Sequence, residues 1–268
     1  MTARQIPSFE VVHWTGRTST SCVIIPVINE GERIGRLLAQ MAQQRIPEIA
    51  DIIIVDGGST DGSLHLDRLQ SLGVRGLLLK TGPGRLSAQL RCGYGFALDR
   101  GYDEIVTIDG NDKDAPDPIP AFIAALREGC DFVQASRFVP GAKEERTPWR
   151  RRLAIRLVHA PLLSLFSWHW WTDTTQGFRA YSRRLLEDCR IAVFRDVFQG
   201  YELLAYLSYR APRLGYRCIE LPSLRRYPRG EPAPTKITGL GELVVLKVLI
   251  QTCLGVYNPA RPSRRERP

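Results

Sequence analysis

The chain has 268 residues, 44% apolar and 24% charged, a globular balance that excludes a disordered or low-complexity protein. Its six cysteines include no Cys-x-x-Cys pair and its glycines and prolines follow no period, which argues against a zinc ribbon, a disulfide framework and a collagen-like repeat, and for packed, reduced thiols. The formal charge of +9 is concentrated: residues 143–171 hold six basic and two acidic side chains and residues 222–268 hold nine and three, a distribution suited to nucleic acid, an anionic membrane or phosphorylated substrates.

Residues 1–20 contain no apolar stretch of signal-peptide type and read as an N-terminal extension, which with the free thiols suggests a cytoplasmic protein. Ser21–Ile28 reads as a buried strand and residues 31–44 as a helix. Ile52–Val55 is a second strand, ending at Asp56, and Ser59, Thr60 and Asp61 offer a cap for the helix that follows. Val74–Lys80 is a third strand, Arg85–Arg100 a helix and Glu104–Ile108 a fourth strand running into the acidic loop Asp109–Asp117. A helix over Ile119–Glu128 and a strand over Asp131–Ser136 follow. Beyond them the pattern predicts a helix across Trp149–Trp171, a helix near Tyr201–Tyr209, a strand over Arg217–Leu221, a basic loop over Arg225–Lys236, a final helix over Gly239–Leu254 and a disordered tail from Arg261. The longest uncharged run, Leu157–Thr172, has sixteen residues and is too short to span a bilayer, which takes about 20.

Alternating strands and helices predict an α/β sandwich around a mostly parallel sheet, with one catalytic domain over residues 21–221 and a basic loop, helix and tail over 222–268. Ligands of such sheets bind beyond the carboxyl ends of the strands, where the polar clusters after the first, second and fourth strands converge. The run Asp109-Gly-Asn-Asp-Lys-Asp114 offers oxygen ligands for a hard divalent cation, yet by itself reads equally as a solvated acidic turn. Val55–Gly62 alone reads more simply as a tight turn and a helix cap. His13, His65, His159 and His169 lack metal-ligand spacing and read as structural.

Taken together, Ile25-Pro-Val-Ile-Asn-Glu30, Ile54–Asp61, Gly82–Gly93, Asp109–Pro118 and Asp173–Tyr181 occur in an order and spacing that resembles the family 2 glycosyltransferases of the GT-A fold. Within them the chain looks most like the dolichol-phosphate mannose synthase type, which loads a sugar onto a polyprenyl phosphate. The resemblance implies a three-layer sandwich and a nucleotide-diphosphate sugar donor, carrying UDP or GDP, over Pro26, Asn29, Glu30, Asp56, Ser59, Gly84, Gln89, Asp109, Gly110 and Lys236. It implies Mg²⁺ or Mn²⁺ at Asp109 and Asn111, where Asn111 replaces the second carboxylate of the usual Asp-x-Asp and Asp112 or Asp114 could compensate. Asp56-Gly57-Gly58-Ser59 likewise departs from the usual Asp-Asp-Gly-Ser by leaving one carboxylate near the base. The acceptor phosphate would meet Arg137, Gln176, Arg179, Arg226, Arg229 and Lys236, with Asp109, Asp112, Asp114 and Arg179 the catalytic set.

A phosphate acceptor is already a nucleophile and needs no strong base, which fits a sequence rich in arginine without a His–carboxylate dyad and points to single-displacement inversion. A hydroxyl acceptor, in a metabolite or glycan, would instead need Asp112 or Asp114 as base. Arg146–Trp171 reads either as a surface helix with packed tryptophans or as an interfacial segment on the inner face of an anionic membrane; the resemblance favours the latter. No Gly-x-Gly-x-x-Gly follows the first strand, which removes a dinucleotide-binding dehydrogenase, and no helix-turn-helix, zinc-finger or aromatic RNA-binding signature supports a nucleic-acid partner.

Overall fold

The computed structural model describes residues 4–227 and 240–260. The chain runs through β1 (Phe9–Trp14), β2 (Ser21–Val27), α1 (Glu32–Gln43), β3 (Asp51–Asp56), α2 (Leu66–Ser71), β4 (Val74–Lys80), α3 (Leu86–Asp99), β5 (Glu104–Thr107), α4 (Ile119–Arg127) and β6 (Phe132–Ser136). It continues through β7 (Lys143–Glu145), α5 (Trp149–Ala154), α6 (Ala160–Ser167), β8 (Arg179–Ser182), α7 (Arg183–Glu187), α8 (Glu202–Arg213), β9 (Cys218–Pro222), β10 (Leu224–Arg226) and α9 (Leu240–Cys253).

Eight strands form one sheet in the order β1-β4-β3-β2-β5-β8-β6-β9. β4, β3, β2 and β5 are parallel neighbours, as are β6 and β9. β8 inserts antiparallel between β5 and β6. Every residue of β2 and β3 is buried, the expected state of strands covered on both faces. One apolar layer, with Ile25, Leu38, Phe122 and Phe178, packs beneath α1 and α4; the other, with Ile24, Tyr94, Tyr181 and Leu207, packs beneath α3 and α8. This is the expected mostly parallel α/β sandwich.

Three elements differ from the sequence pattern. Residues 9–14 form an edge strand paired antiparallel to β4, so the stretch read as an N-terminal extension carries part of the sheet. The helix expected across Trp149–Trp171 is continuous from Trp149 to Ser167 but holds a π-turn over Ile155–His159 between α5 and α6, and Trp168 ends it early, in the left-handed region at φ 59°. A small parallel pair, β7 with β10, forms beside the main sheet. Arg229, Lys236 and the tail Arg261–Pro268 lie outside the described residues. Among those described, no helix is long and apolar enough to cross a membrane.

Candidate active site

The carboxyl ends of β2 and β3 are stitched together by polar side chains. Asn29, itself at φ 50°, donates its amide N–H to Ser59 Oγ (3.0 Å) and accepts from Thr60 N (2.8 Å), while Gly31 N donates to Asp61 (2.8 Å). Asp56 Oδ1 accepts from the amides of Gly58 and Ser59 and from the Ser59 hydroxyl, which fixes the carboxylate at the rim of a cleft of about 250 Å³. Val12 of β1 forms part of the opposite wall, a contribution invisible before the strand was placed. Pro26 is interior to β2, and Glu30 is buried with Arg33 donating to it.

Two expected donor-side residues turn out to shape the site from behind. Gln89 is buried in α3 and spends both amide N–H groups on the carbonyls of Val27 and Val55 (2.8 and 3.0 Å), so it ties the two strand ends together from below. Gly84, at φ 97°, lies where a Cβ would strike Gln199 and Ala88. Gly110 likewise has no room for a side chain: a Cβ there would come 2.9 Å from Val27, so glycine lets the acidic loop cross β2 closely.

Asp109 emerges half-buried at the end of β5 and packs against Gly177, where any Cβ would collide with its Oδ1. The Asn111 side-chain amide lies 3.5 Å from Asp109 Oδ2. It is the Asn111 NH₂ that faces Asp109, while Asn111 Oδ1 accepts from Lys113 N (3.2 Å); with the amide turned over, one carboxylate and one amide oxygen on a single turn would suit a magnesium- or manganese-type ion that completes its shell with substrate phosphates and water. Neither Asp112 nor Asp114 adds a ligand or a base, which corrects the sequence reading of both. Asp112 is bound to Arg36 Nε (2.9 Å) and Gln40 Nε2 (2.8 Å) on α1. Asp114 is buried in an ion pair with Arg225, and burial pushes its carboxyl above the ordinary range against the pull of that guanidinium. Among the described residues no group of three His, Cys, Asp or Glu side chains could hold a metal.

Arg179 also requires correction. Its side chain is fully buried and directed away from Asp109, donating from Nε to Gln176 O (2.8 Å), from Nη1 to Leu204 O (2.6 Å) and Ser208 Oγ, and from Nη2 to Thr174 O (2.9 Å). Such a guanidinium knits β8 to α8 and spends four of its five N–H groups inside the fold. Gln176 is equally interior, donating to Asp173 and accepting from Ser223. Arg226 points outward to Glu145 (3.4 Å), and its neighbour Arg225 faces inward, because adjacent strand residues face opposite sides.

What gathers beside Asp109 instead is a buried cationic chamber. Lys113, Arg137, Arg151 and Arg225 lie close enough to perturb one another's ionisation, and burial followed by Arg225 lowers the Lys113 ammonium to about 7. Arg137, expected at the acceptor, pairs with Asp173 through Nε (2.6 Å) and holds Thr175 Oγ1 (3.1 Å), while its Nη1 is buried with no hydrogen-bond partner. Tyr227 joins the group: burial opposes its ionisation, but Arg225, Arg151 and Arg137 together hold its phenol below the ordinary value. Its Oη abuts Arg225 without making a hydrogen bond of normal geometry. Sequence reading gave no role here to Lys113 or Tyr227, and Arg151 drew notice only as a surface charge; no local motif marks their convergence.

Above the chamber, α5 and α6 expose Trp149, Leu153, Leu157, Leu165, Trp168 and Trp170, interleaved with Arg150, Arg152 and Arg156. α9 packs against α6 and α8 and exposes Leu243, Val244, Ile250 and Leu254.

Residues 22–190 match the family model described as Glycosyl transferase family 2. An undecaprenyl-phosphate mannosyltransferase of Micrococcus luteus is 30% identical over 83% of this chain and 90% of its own length. A polyprenol monophosphomannose synthase of Mycolicibacterium smegmatis is 29% identical over 76% and 77%, and a dolichyl-phosphate hexose transferase of Haloferax volcanii 29% over 87% and 93%. Crystal structures of glucosyl-3-phosphoglycerate synthase from M. tuberculosis superpose with a TM-score of 0.61 at 23% identity, covering 91% of this chain and 82% of that one, and one such structure holds Mn²⁺ and UDP. They establish the GT-A fold.

Proposed function

The chain belongs to glycosyl transferase family 2, and from that premise we propose that it transfers a hexose from a UDP- or GDP-sugar to a polyprenyl phosphate at a membrane surface. The nucleotide base would occupy the cleft beside Asp56 and Ser59, and the diphosphate would cross Pro26–Glu30 to reach Asp109. Asp109 and Asn111 are the residues that would hold a divalent cation, whose chemistry is to neutralise charge growing on the departing diphosphate.

The observation that carries the acceptor assignment is the chamber beside Asp109. Arg225 is paired with Asp114 and Arg137 with Asp173, and Arg137 still keeps a buried N–H without a partner. A buried guanidinium N–H without an acceptor is costly unless an anion completes it, and a fork of guanidinium N–H groups suits a phosphate better than a neutral hydroxyl. An acceptor phosphate held there needs no proton removed. It attacks the anomeric carbon opposite the leaving diphosphate and inverts the configuration. The alternation of arginines with exposed Trp and Leu on α5–α6, continued by α9, supports docking on the inner face of an anionic membrane that presents this acceptor.

The test is transfer from UDP- and GDP-hexoses, with and without Mn²⁺, to a polyprenyl phosphate and to the corresponding free polyprenol. Transfer confined to the phosphate is the expected result. Equal rates with both would overturn the phosphate assignment in favour of a hydroxyl acceptor.

A further inference from the structure

The Asp56 carboxylate uses its two oxygens unequally. Oδ1 accepts from Gly58 N (3.1 Å), Ser59 N (2.9 Å) and Ser59 Oγ (2.7 Å), more donors than its two lone pairs accommodate. Oδ2 has no hydrogen-bond partner among the described residues, and the side chain lines the cleft of about 250 Å³. The three bonds also hold the carboxylate in place on its turn. The hydroxyl protons beside it are spent: Ser59 Oγ donates to Asp56 while accepting from Asn29 N (3.0 Å), and Ser63 Oγ donates to Asp61 (2.7 Å). Asp56 is the only acidic side chain among the residues lining the cleft. A second one has no room at Gly57, where a Cβ would come 2.9 Å from Gln89 Nε2, an amide already tied to Val27 O and Val55 O.

One free anionic oxygen suits some nucleobases and not others. Uracil carries a single N–H at the far side of its ring, and it meets Oδ2 in one charge-assisted hydrogen bond. Guanine presents two adjacent donors, N1–H and its amino group, which a carboxylate satisfies only through both oxygens. Here the second donor would face Oδ1, whose lone pairs are taken. Guanine also holds these donors farther from the ribose, beyond a second ring, and a pinned carboxylate does not retreat to admit them. Cytosine has a lone pair at N3 where uracil has a proton, so it would turn that lone pair toward Oδ2.

We propose that the cleft selects uridine, so that the donor is a UDP-hexose, and that Asp56 Oδ2 is the atom that rejects guanosine and cytidine. The inference rests on the nucleotide-sugar reading above and narrows it to one base. Gly57 and Gln89 serve the same end indirectly: they keep the base opposite one carboxylate by leaving no space for another.

Isothermal titration with Mn²⁺ present compares UDP, GDP, CDP and 3-methyl-UDP, in which a methyl group replaces the ring N–H proton. The wild type should bind UDP about 10–100-fold more tightly than each of the others, the worth of one hydrogen bond to a charged acceptor. In Asp56→Asn the amide oxygen can keep the donors of the turn, which sets an NH₂ group where Oδ2 stood. That donor suits N3 of cytosine and opposes the N–H of uracil, so the variant should bind CDP at least as tightly as UDP. A variant that keeps the wild-type preference for UDP overturns the inference. So does a wild type that binds GDP or 3-methyl-UDP as tightly as UDP, a comparison that needs no variant to fold. Sugar transfer to polyprenyl phosphate from a GDP-hexose in that case leaves the transferase reading intact. Selective UDP binding without transfer from any UDP-hexose overturns the transferase reading and leaves the base assignment intact. A wild type that binds none of the four overturns both.

Discussion

Asp173→Asn is nearly isosteric and removes one charge from a pair in which neither side chain is exposed. Asp173 Oδ2 accepts from Arg137 Nε (2.6 Å) and Gln176 Nε2 (2.8 Å), and Oδ1 accepts from the Thr175 amide (3.2 Å) and hydroxyl (3.0 Å). An asparagine has one oxygen, so either orientation of the amide faces two donors with an NH₂ group and leaves Arg137 without its counter-charge. Breaking a buried pair in this way costs about 3–5 kcal/mol, or ~6–20 °C in Tm for a chain of this size. Burial opposes ionisation of Asp173, but Arg137 and the hydrogen bonds outweigh it and hold its pKa below the ordinary value. Its stabilisation is therefore complete above the ordinary carboxylate range and is lost only as pH falls through the lower folded value, so the titration of Asp173 itself adds no difference between pH 6 and pH 8. Urea denaturation at both pH values measures it. Arg137→Met with Asp173→Leu, which removes both charges, should recover most of the loss. A deficit under about 1 kcal/mol for Asp173→Asn, or a double variant as unstable as the sum of its singles, would refute the account of this pair.

Other consequences are open to measurement. Asp109→Ala should keep the wild-type melting temperature without ligands but lose the Mn²⁺-dependent thermal shift with nucleoside diphosphates and at least 100-fold in turnover, a scale set by electrostatic stabilisation at a single group; unchanged turnover would reject its role. Glu220 accepts from Thr172 N, Thr172 Oγ1 and Asp173 N, yet burial pushes it up to about 7. The folded state thus holds a proton between roughly pH 4.5 and 7 that the unfolded chain has released, so stability should fall by ~1–3 kcal/mol as pH rises through that window. Glu220→Gln should remove this slope, and an unchanged slope in urea midpoints from pH 5 to 8 would contradict it. Leu243→Glu with Leu254→Glu should abolish flotation with anionic vesicles at low salt, while retained flotation would exclude α9 from the membrane face.

Most of the parallel sheet was legible in the sequence because β2, β3 and β5 are short, largely apolar runs that meet a polar residue, Asn29, Asp56 and Asp109, at or just beyond their ends, punctuation that survives without knowledge of packing. β1 was not, because Val11 and Val12 are both exposed and the edge strand shows no period-two alternation. Asp109 and the Asp56 turn stood out through local chemistry. The acceptor side did not: Arg137 meets Asp173 across 36 residues and Asp114 meets Arg225 across 111. The exchange between Arg225 and Arg226 shows the limit most plainly. Both are arginines in the same short strand, and only its register with Lys113 and Glu145 decides which one is buried beside the site. Arg179 was misread for the same reason, since nothing local reveals which face of β8 it occupies.

The antiparallel placement of β8 bears on how the molecule assembles. β5 and β6 are not neighbours, so the hydrogen-bonded ladder from β1 through β5 joins β6 and β9 only through the four residues Arg179–Ser182. Val106 and Val133 both face Ala180 in register, one on each flank. β8 arrives at this gap only after the chain has travelled out through α5 and α6 and returned through the clasp of Arg137 with Asp173. Successive strand–helix–strand units join only β2, β3 and β4, whereas the return of β5 to β2 and the insertion of β8 between β5 and β6 are both long-range closures. The excursion proposed to meet the acceptor thus also carries the strand that joins the two halves of the sheet, and proline at Ala180, with no N–H to donate, would divide the fold along that seam.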